Sequence, residues 1–499
     1  MNNMMPTNKL LMIILDGWGI GPKNKHNAIW RAKTPTMDRL WKDYPHSTLA
    51  ASGPAVGLLK GQIGSSEVGH MHIGAGRVVE QELTRLHRSL RDGTFFRNPA
   101  LLAAFRVAKK KRSRVHLIGL TSDGGVHAHQ DHLVALLKMA HRQHCSKVFV
   151  HAILDGRDSP PASAKQYLLR IQQAMEQWNT GTIASLCGRF WAMDRDNNHT
   201  YTKRAVALLT RSKGTFHASA TAAIKESYRR KIYDEFIEPI VIDPSGRIQS
   251  GDSVIFFNFR ADRMRQLVKV LSQTVRGVHI TTMIPYGVDE AKTNIAFDRV
   301  TPINHFSQVI SRHGIGQLKI AESEKYAHVT YFFNGTQEKP YPAERRVLIP
   351  SPDVPTYDLF PAMSAPKIAD TLLRNLKKFP VIVVNFANAD MVGHSADMKA
   401  TIEACTTLDA MIGRIVEAAE LTGHMVMITG DHGNAEQLYD DALKSRHTAH
   451  TTNPVPFILV TKQHIRLRAK GSLTNIAPLA LELLGLPVPK EMGASLQIL

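Results

Sequence analysis

One hydroxyl set among glycines is the first residue that could do chemistry. It lies in Gly61-Gln62-Ile63-Gly64-Ser65-Ser66-Glu67-Val68-Gly69-His70, a stretch that continues through Gly74, Gly76 and Arg77. Flanking glycines let the backbone turn sharply and let a substrate approach closely. Ser66-Glu67-Val68 also has the look of a helix N-terminus, where free N–H groups and the dipole favour an incoming phosphate. Taken alone, the stretch reads equally well as a nucleophile turn or as a glycine-rich loop with a capping serine.

Metal chemistry is the second theme. Asp390 and His394 stand four apart after an apolar run, and Thr429-Gly430-Asp431-His432-Gly433-Asn434 follows another. His447 and His450 add imidazoles, and Asp16 ends the apolar run Leu10–Leu15. Singly, each is more often a cap or a locally satisfied side chain. Together, three carboxylates and three or four histidines form a mixed O and N set large enough for two divalent ions. Two ions about 3.5–4 Å apart can activate an alkoxide and hold a phosphoryl oxygen, as in-line transfer to a serine requires. Ser66 is the serine this set would serve.

The third theme is anion binding. His127 follows Ser122-Asp123-Gly124-Gly125, and Arg157 and Asp158 follow Asp155-Gly156. Arg189 and Arg195 lie in Gly188–Asp196, and Arg260 and Arg263 follow Asn258-Phe259. The planar guanidinium fork matches carboxylate and phosphate oxygens bidentately, so converging arginines imply a small polyanion. Lys325, far along the chain, is a further cation that could reach over a cleft.

These residues must be positioned by strands and helices. Short apolar runs end at functional residues: Leu10–Leu15 before Asp16, Val115–Leu120 before Ser122, and Val148–Leu154 before Asp155. Val254–Phe257 precedes Asn258, Val381–Val384 precedes Asn385, and Met425–Ile428 precedes Asp431. Helical periodicity separates them at Leu133–His141, Ser163–Trp178, Ser307–Arg312 and Thr401–Leu421. The alternation predicts an α/β fold with chemistry at the carboxyl ends of strands. Boundaries are expected to give an outer domain from residues 1-79 and 305-499, closed around an inserted domain at 80-304.

Composition sets the outer limits. At 499 residues two cores are expected, and 43% hydrophobic with 21% charged residues is the balance of a globular protein. No apolar run approaches bilayer length, and Leu10–Leu15 is too short for a signal segment, so neither membrane nor export is expected. Three scattered cysteines, Cys145, Cys187 and Cys405, argue against a disulfide framework and fit a reducing cytoplasm. The net charge of +19 would steer anions. Its densest run, Lys109–Arg112, lacks interleaved aromatics, which counts against nucleic acid.

The ordered motifs resemble those of cofactor-independent phosphoglycerate mutases, from Leu15-Asp16-Gly17-Trp18-Gly19 nearly to the C-terminus. They include Ser65–His70, Ser122–His127, Asp155–Asp158, Met193–Asp196, Asn258–Arg260, Glu324–Thr330, Asp390–His394, Gly430–Asn434 and Thr448–Thr451. The resemblance implies a discontinuous alkaline-phosphatase-like domain with an inserted α/β transferase domain. It implies one metal, usually Mn²⁺, on Asp390, His394 and His450, and a second on Asp16, Ser66, Asp431 and His432. It further implies substrate held by His127, Arg157, Asp158, Arg189, Arg195, Arg260, Arg263 and Lys325, with Ser66, Asp158 and Lys325 catalytic, in a monomer.

The chain departs from the family pattern at Ser65, usually Asn, and at Ala261, often Pro; Ser65 raises the question of which serine attacks. The expected reaction interconverts 3- and 2-phosphoglycerate through a phosphoserine. A related phosphomutase or phosphomonoesterase is the neighbouring alternative.

Overall fold

The computed structural model describes residues 8–288 and 293–498. The chain divides into two compact units, Met1–Gln81 with Thr301–Leu499, and Glu82–Val300. The first cut falls after Gln81 because the Gln81 amide donates to the Gly57 carbonyl, and a helix, Glu82–Arg91, starts at the next residue. The second falls before Thr301 because the Arg77 guanidinium donates to the Ile303 carbonyl at 2.7 Å. Both units are α/β.

In the first unit an eight-stranded sheet runs Glu344–Ile349, Gln317–Glu322, Val381–Phe386, Lys9–Leu15, His424–Gly430, Val455–Val460, His46–Ala50, Lys470–Ser472. The first five strands are mutually parallel. The strand Lys9–Leu15 shows why: Leu10, Met12 and Ile14 enter one apolar cluster, and Leu11, Ile13 and Leu15 enter the other. A strand with side chains alternating between two covered faces reads as an unbroken apolar run, the mark of a parallel sheet interior. Each such side chain contributes about 1.5–3 kcal/mol on burial.

The second unit has its own eight-stranded sheet, ordered Thr293–Ile295, His279–Thr282, Ser253–Phe256, Val115–Leu120, Val148–Leu154, Thr182–Gly188, Ile240–Val241, Thr215–Phe216. Only the pairing of Thr182–Gly188 with Ile240–Val241 is antiparallel. The helices Gln130–Arg142 and Ala164–Trp178 link consecutive parallel strands, as a crossover requires. No described helix is long and apolar enough to cross a membrane.

Candidate active site

Three adjacent parallel strands of the first unit end in step, with Leu15 registered against both Phe386 and Gly430. Their carboxyl ends therefore share one edge, and the chain leaves that edge through Asp16, Asp390 and Asp431. The approach is tight. Gly17 has φ +72°, and a Cβ there would lie 2.6 Å from the Asp390 Cα; a Cβ on Gly69 would lie 2.6 Å from the Asp431 carbonyl oxygen.

Ser66 opens the helix Ser66–Ala75, and Ser65 is its N-cap, its hydroxyl accepting from the Val68 amide at 3.4 Å. Ser65 is thus engaged with the helix end, while Ser66 points its hydroxyl into the carboxylates. Ser66 Oγ donates to Asp16 Oδ1 at 3.0 Å and lies 3.0 Å from His432 Nε2. Lys325, in the turn Ser323–Lys325 after the strand Gln317–Glu322, donates from Nζ to Ser66 Oγ and Asp16 Oδ1 at 2.7 Å each, and to Asp390 Oδ2 at 2.6 Å. Lys325 therefore belongs to the Ser66 cluster in the first unit.

The electrostatics follow from that packing. Burial would push the Asp16 and Asp390 carboxyls up, but Lys325 and the neighbouring imidazoles overcome it and hold both well below the usual carboxylate range. Burial opposes charge on Lys325 as well, yet Asp16, Asp390 and Asp431 raise its pKa. Against the same burial penalty, Asp431, Asp16 and Asp390 push His432 up to about 10.

The donor set fits divalent cations. His394, His432 and His450 each set Nδ1 against a backbone carbonyl, those of Thr448 at 2.7 Å, Gly433 at 3.3 Å and Gly64 at 2.9 Å. That outer contact fixes the ring and turns Nε2 inward, as metal-binding imidazoles require. His394 and His450 Nε2 lie 3.3 and 3.1 Å from Asp390 Oδ1. His432 Nε2 lies 3.4 Å from Asp16 Oδ1, 3.7 Å from Asp431 Oδ2 and 4.0 Å from Asp390 Oδ1, between the two expected ligand sets. Asp431 Oδ2 accepts no hydrogen bond among the described residues.

Sequence reasoning missed three residues here. His70 Nδ1 lies 3.1 Å from Asp431 Oδ2, and one ligand atom from each of Asp16, His70 and Asp431 falls within 4.8 Å of the others. Its signal was available: His70 sits four residues after Ser66, on the same helix face. Asn385 Nδ2 donates to Asp16 Oδ2, and Asn434 Nδ2 to Asp390 Oδ1, both at 2.8 Å. Asn385 carried the same signal as the aspartates, a polar residue ending the apolar run Val381–Val384, whereas nothing local marks Asn434.

In the second unit, four adjacent parallel strands (Ser253–Phe256, Val115–Leu120, Val148–Leu154 and Thr182–Gly188) feed the other expected residues. Buried Arg189 donates to Asp155 Oδ1 at 2.7 Å and to Asp158 Oδ2 at 2.5 Å. Asp262 is a second hub, with Arg195 Nη1 at 3.2 Å, Arg260 Nε at 3.4 Å and His127 Nδ1 at 3.7 Å. Burial and the nearby Arg189 hold His127 down at about 4, so it is neutral near pH 7 and offers a polar hydrogen rather than a charge. Burial lowers Arg263, as do Arg195, Arg189 and Arg157, which places these guanidinium groups in one field. Arg157 is the most open, 60% exposed and 3.4 Å from Glu235. Asp155 and Asp262 were not expected as site residues, although each sits inside a motif read from the sequence.

Comparison with known proteins places the whole chain in one family. The Metalloenzyme superfamily profile matches residues 8–488. The chain is 47% identical over 504 residues to a 2,3-bisphosphoglycerate-independent phosphoglycerate mutase of Moorella thermoacetica, covering 98% of each. It is 45% identical over 495 residues to the enzyme of that name from Pseudomonas syringae pv. syringae, covering 97% of each. Its fold matches a Leishmania mexicana phosphoglycerate mutase crystallised at low cobalt concentration, with a TM-score of 0.74, 28% identity, and 100% of this chain and 99% of that one covered. With Ser66 among buried carboxylates and imidazoles and arginines gathered at a second sheet edge, the chain belongs to the 2,3-bisphosphoglycerate-independent phosphoglycerate mutases.

Proposed function

We propose that this chain interconverts 3-phosphoglycerate and 2-phosphoglycerate, with Ser66 taking up the phosphoryl group and returning it to the other glycerate hydroxyl. The observation that carries the reading is the surroundings of Ser66 Oγ: Asp16 Oδ1 and His432 Nε2 at 3.0 Å and Lys325 Nζ at 2.7 Å. Two divalent cations, Mn²⁺ in the cell, would be held by Asp390, His394 and His450 and by Asp16, Ser66, Asp431 and His432, supplying Lewis-acid polarisation of phosphoryl oxygens and a more acidic serine.

The chain's own groups do the rest. Ser66 Oγ, its proton lost to solvent before attack, forms its bond to phosphorus as the bond from phosphorus to the glycerate oxygen breaks, and Lys325 offsets the charge that develops beside it. The leaving glycerate oxygen needs a proton, and Asp158, steadied by Arg189, is the group assigned to give it and to take one back in the second half-reaction. Arg157, Arg189, Arg195, Arg260 and Arg263 hold substrate oxygens by charge-assisted hydrogen bonds, and neutral His127 adds a directional one. A cytoplasmic monomer is the setting in which this activity is expected.

The test is a coupled assay of 2-phosphoglycerate formation with no added bisphosphoglycerate. Activity is expected to vanish on chelation and to return with Mn²⁺. Release of free phosphate from 3-phosphoglycerate faster than isomerisation would overturn the reading in favour of a phosphomonoesterase.

A further inference from the structure

A second group of metal-type side chains lies in the second unit, apart from the arginine cluster. One nitrogen of His87, one of His129 and a carboxylate oxygen of Asp131 fall within 4.8 Å of one another. His87 lies on the helix Glu82–Arg91, and His129 is the N-cap of Gln130–Arg142, its Nδ1 accepting from the Asp131 amide at 3.2 Å. The His87 and His129 rings meet edge to face with centroids 4.7 Å apart.

Imidazoles can gather simply as aromatic packing, and Phe95 lies near this group, stacked on His132 at 6.2 Å. Packing alone does not account for the polar atoms. His87 Nε2 is buried with no hydrogen-bond partner among the described residues, and the same holds for both ring nitrogens of fully buried His132, whose centroid is 5.3 Å from that of His87. Buried polar nitrogens left without partners are costly, because they lose their hydrogen bonds to water and gain none in return. A cation coordinated in their midst would remove part of that cost.

We propose that His87, His129 and Asp131 form a further divalent-metal site, one that takes a zinc-class cation through two imidazoles and one carboxylate. Two nitrogens and one oxygen suit Zn²⁺ or Co²⁺ and leave a fourth position for water or His132. Asp131 has an oxygen to give: Arg170 bonds Oδ1, while Oδ2 lies 3.5 Å from His129 Nδ1. The guanidinium beside it weakens the site, so binding is expected to be looser than at a closed four-ligand centre. The ligands come from the first helix of this unit and from the loop end at His129, two residues beyond His127, with Asp131 in the first turn of the helix that His129 caps. A bound cation would therefore pin that loop to the helix and steady His127.

The experiment is equilibrium dialysis of the full-length protein and its H87A and D131N variants against Co²⁺ or Zn²⁺ after chelation, with metal counted per chain. Each variant is expected to bind one equivalent fewer than wild type; equal stoichiometry in all three would overturn the site. Should H87A lose its circular-dichroism signature, D131N decides. Should both fail to fold, histidine modification by diethylpyrocarbonate in the wild type decides: Zn²⁺ should slow labelling of His87 at least about tenfold, and unchanged labelling would overturn the proposal. These readouts do not depend on mutase activity.

Discussion

The two units apply one architectural rule to opposite charges. In the first, the carboxyl ends of central parallel strands deliver carboxylates that are 0–1% exposed. In the second, the equivalent edge delivers arginines, of which Arg157, Arg195 and Arg260 have side chains 60%, 49% and 43% exposed. Buried carboxylates require cations, which here means Lys325 and a donor set suited to metals; the more open arginines have the chemistry to bind an anion. A parallel sheet edge thus fixes where chemistry occurs, while the residue types that follow the strands fix its sign.

Glu322 sharpens the contrast from inside the first unit. It ends the strand Gln317–Glu322, three residues before Lys325, and burial, the dominant influence, pushes it up to about 7. Asp16 and Asp390, equally buried but with Lys325 Nζ at 2.7 and 2.6 Å, move the opposite way. Contact with a cation, rather than depth, decides the direction.

The strongest test removes the hydroxyl. S66A should lower isomerisation by at least about a thousandfold while part of the metal binding persists; retained turnover in the coupled assay would put Ser65 or another residue in its place. K325M should destabilise the chelated protein by about 3–5 kcal/mol in urea melts, because buried carboxylates lose their cation. Saturating Mn²⁺ should restore most of that loss, and a variant as stable as wild type in chelator would break the comparison.

The next effect is on pH dependence. Glu322 has a folded pKa of about 7 against an ordinary 4.5, so the folded state keeps a proton that the unfolded chain has lost between those values. The stability this lends is whole below about 4.5 and is lost as pH rises through about 7. E322Q should therefore gain on wild type between pH 5 and pH 8, by about 2–3 kcal/mol; parallel stability profiles would show that Glu322 is not protonated in the fold. The smallest effect is expected at Asp262. D262N loosens Arg195, Arg260 and His127 together and should raise KM about tenfold with kcat nearly unchanged; a fall in kcat alone would place Asp262 in the chemical step.

Much of this was legible along the chain. Apolar runs at Leu10–Leu15, Val115–Leu120 and Val148–Leu154 mark strands at Lys9–Leu15, Val115–Leu120 and Val148–Leu154, because burial on both faces leaves only apolar residues to choose from. Ser66 at a helix start, and the aspartates, histidines and arginines just after strands, are local features that residue type and spacing reveal. Tertiary structure alone decided which strand ends stand side by side. Asp16 and Asp390, 374 positions apart in the sequence, share an edge through the register Leu15 to Phe386. It also decided that Lys325 sits on the Ser66 carboxylates, that His70, Asn385 and Asn434 complete them, and that Asp155 and Asp262 anchor the arginines. The physical reason is that a strand's own sequence specifies a buried face, whereas its neighbour and register are set by the packing of the whole sheet, to which residues hundreds of positions away contribute equally.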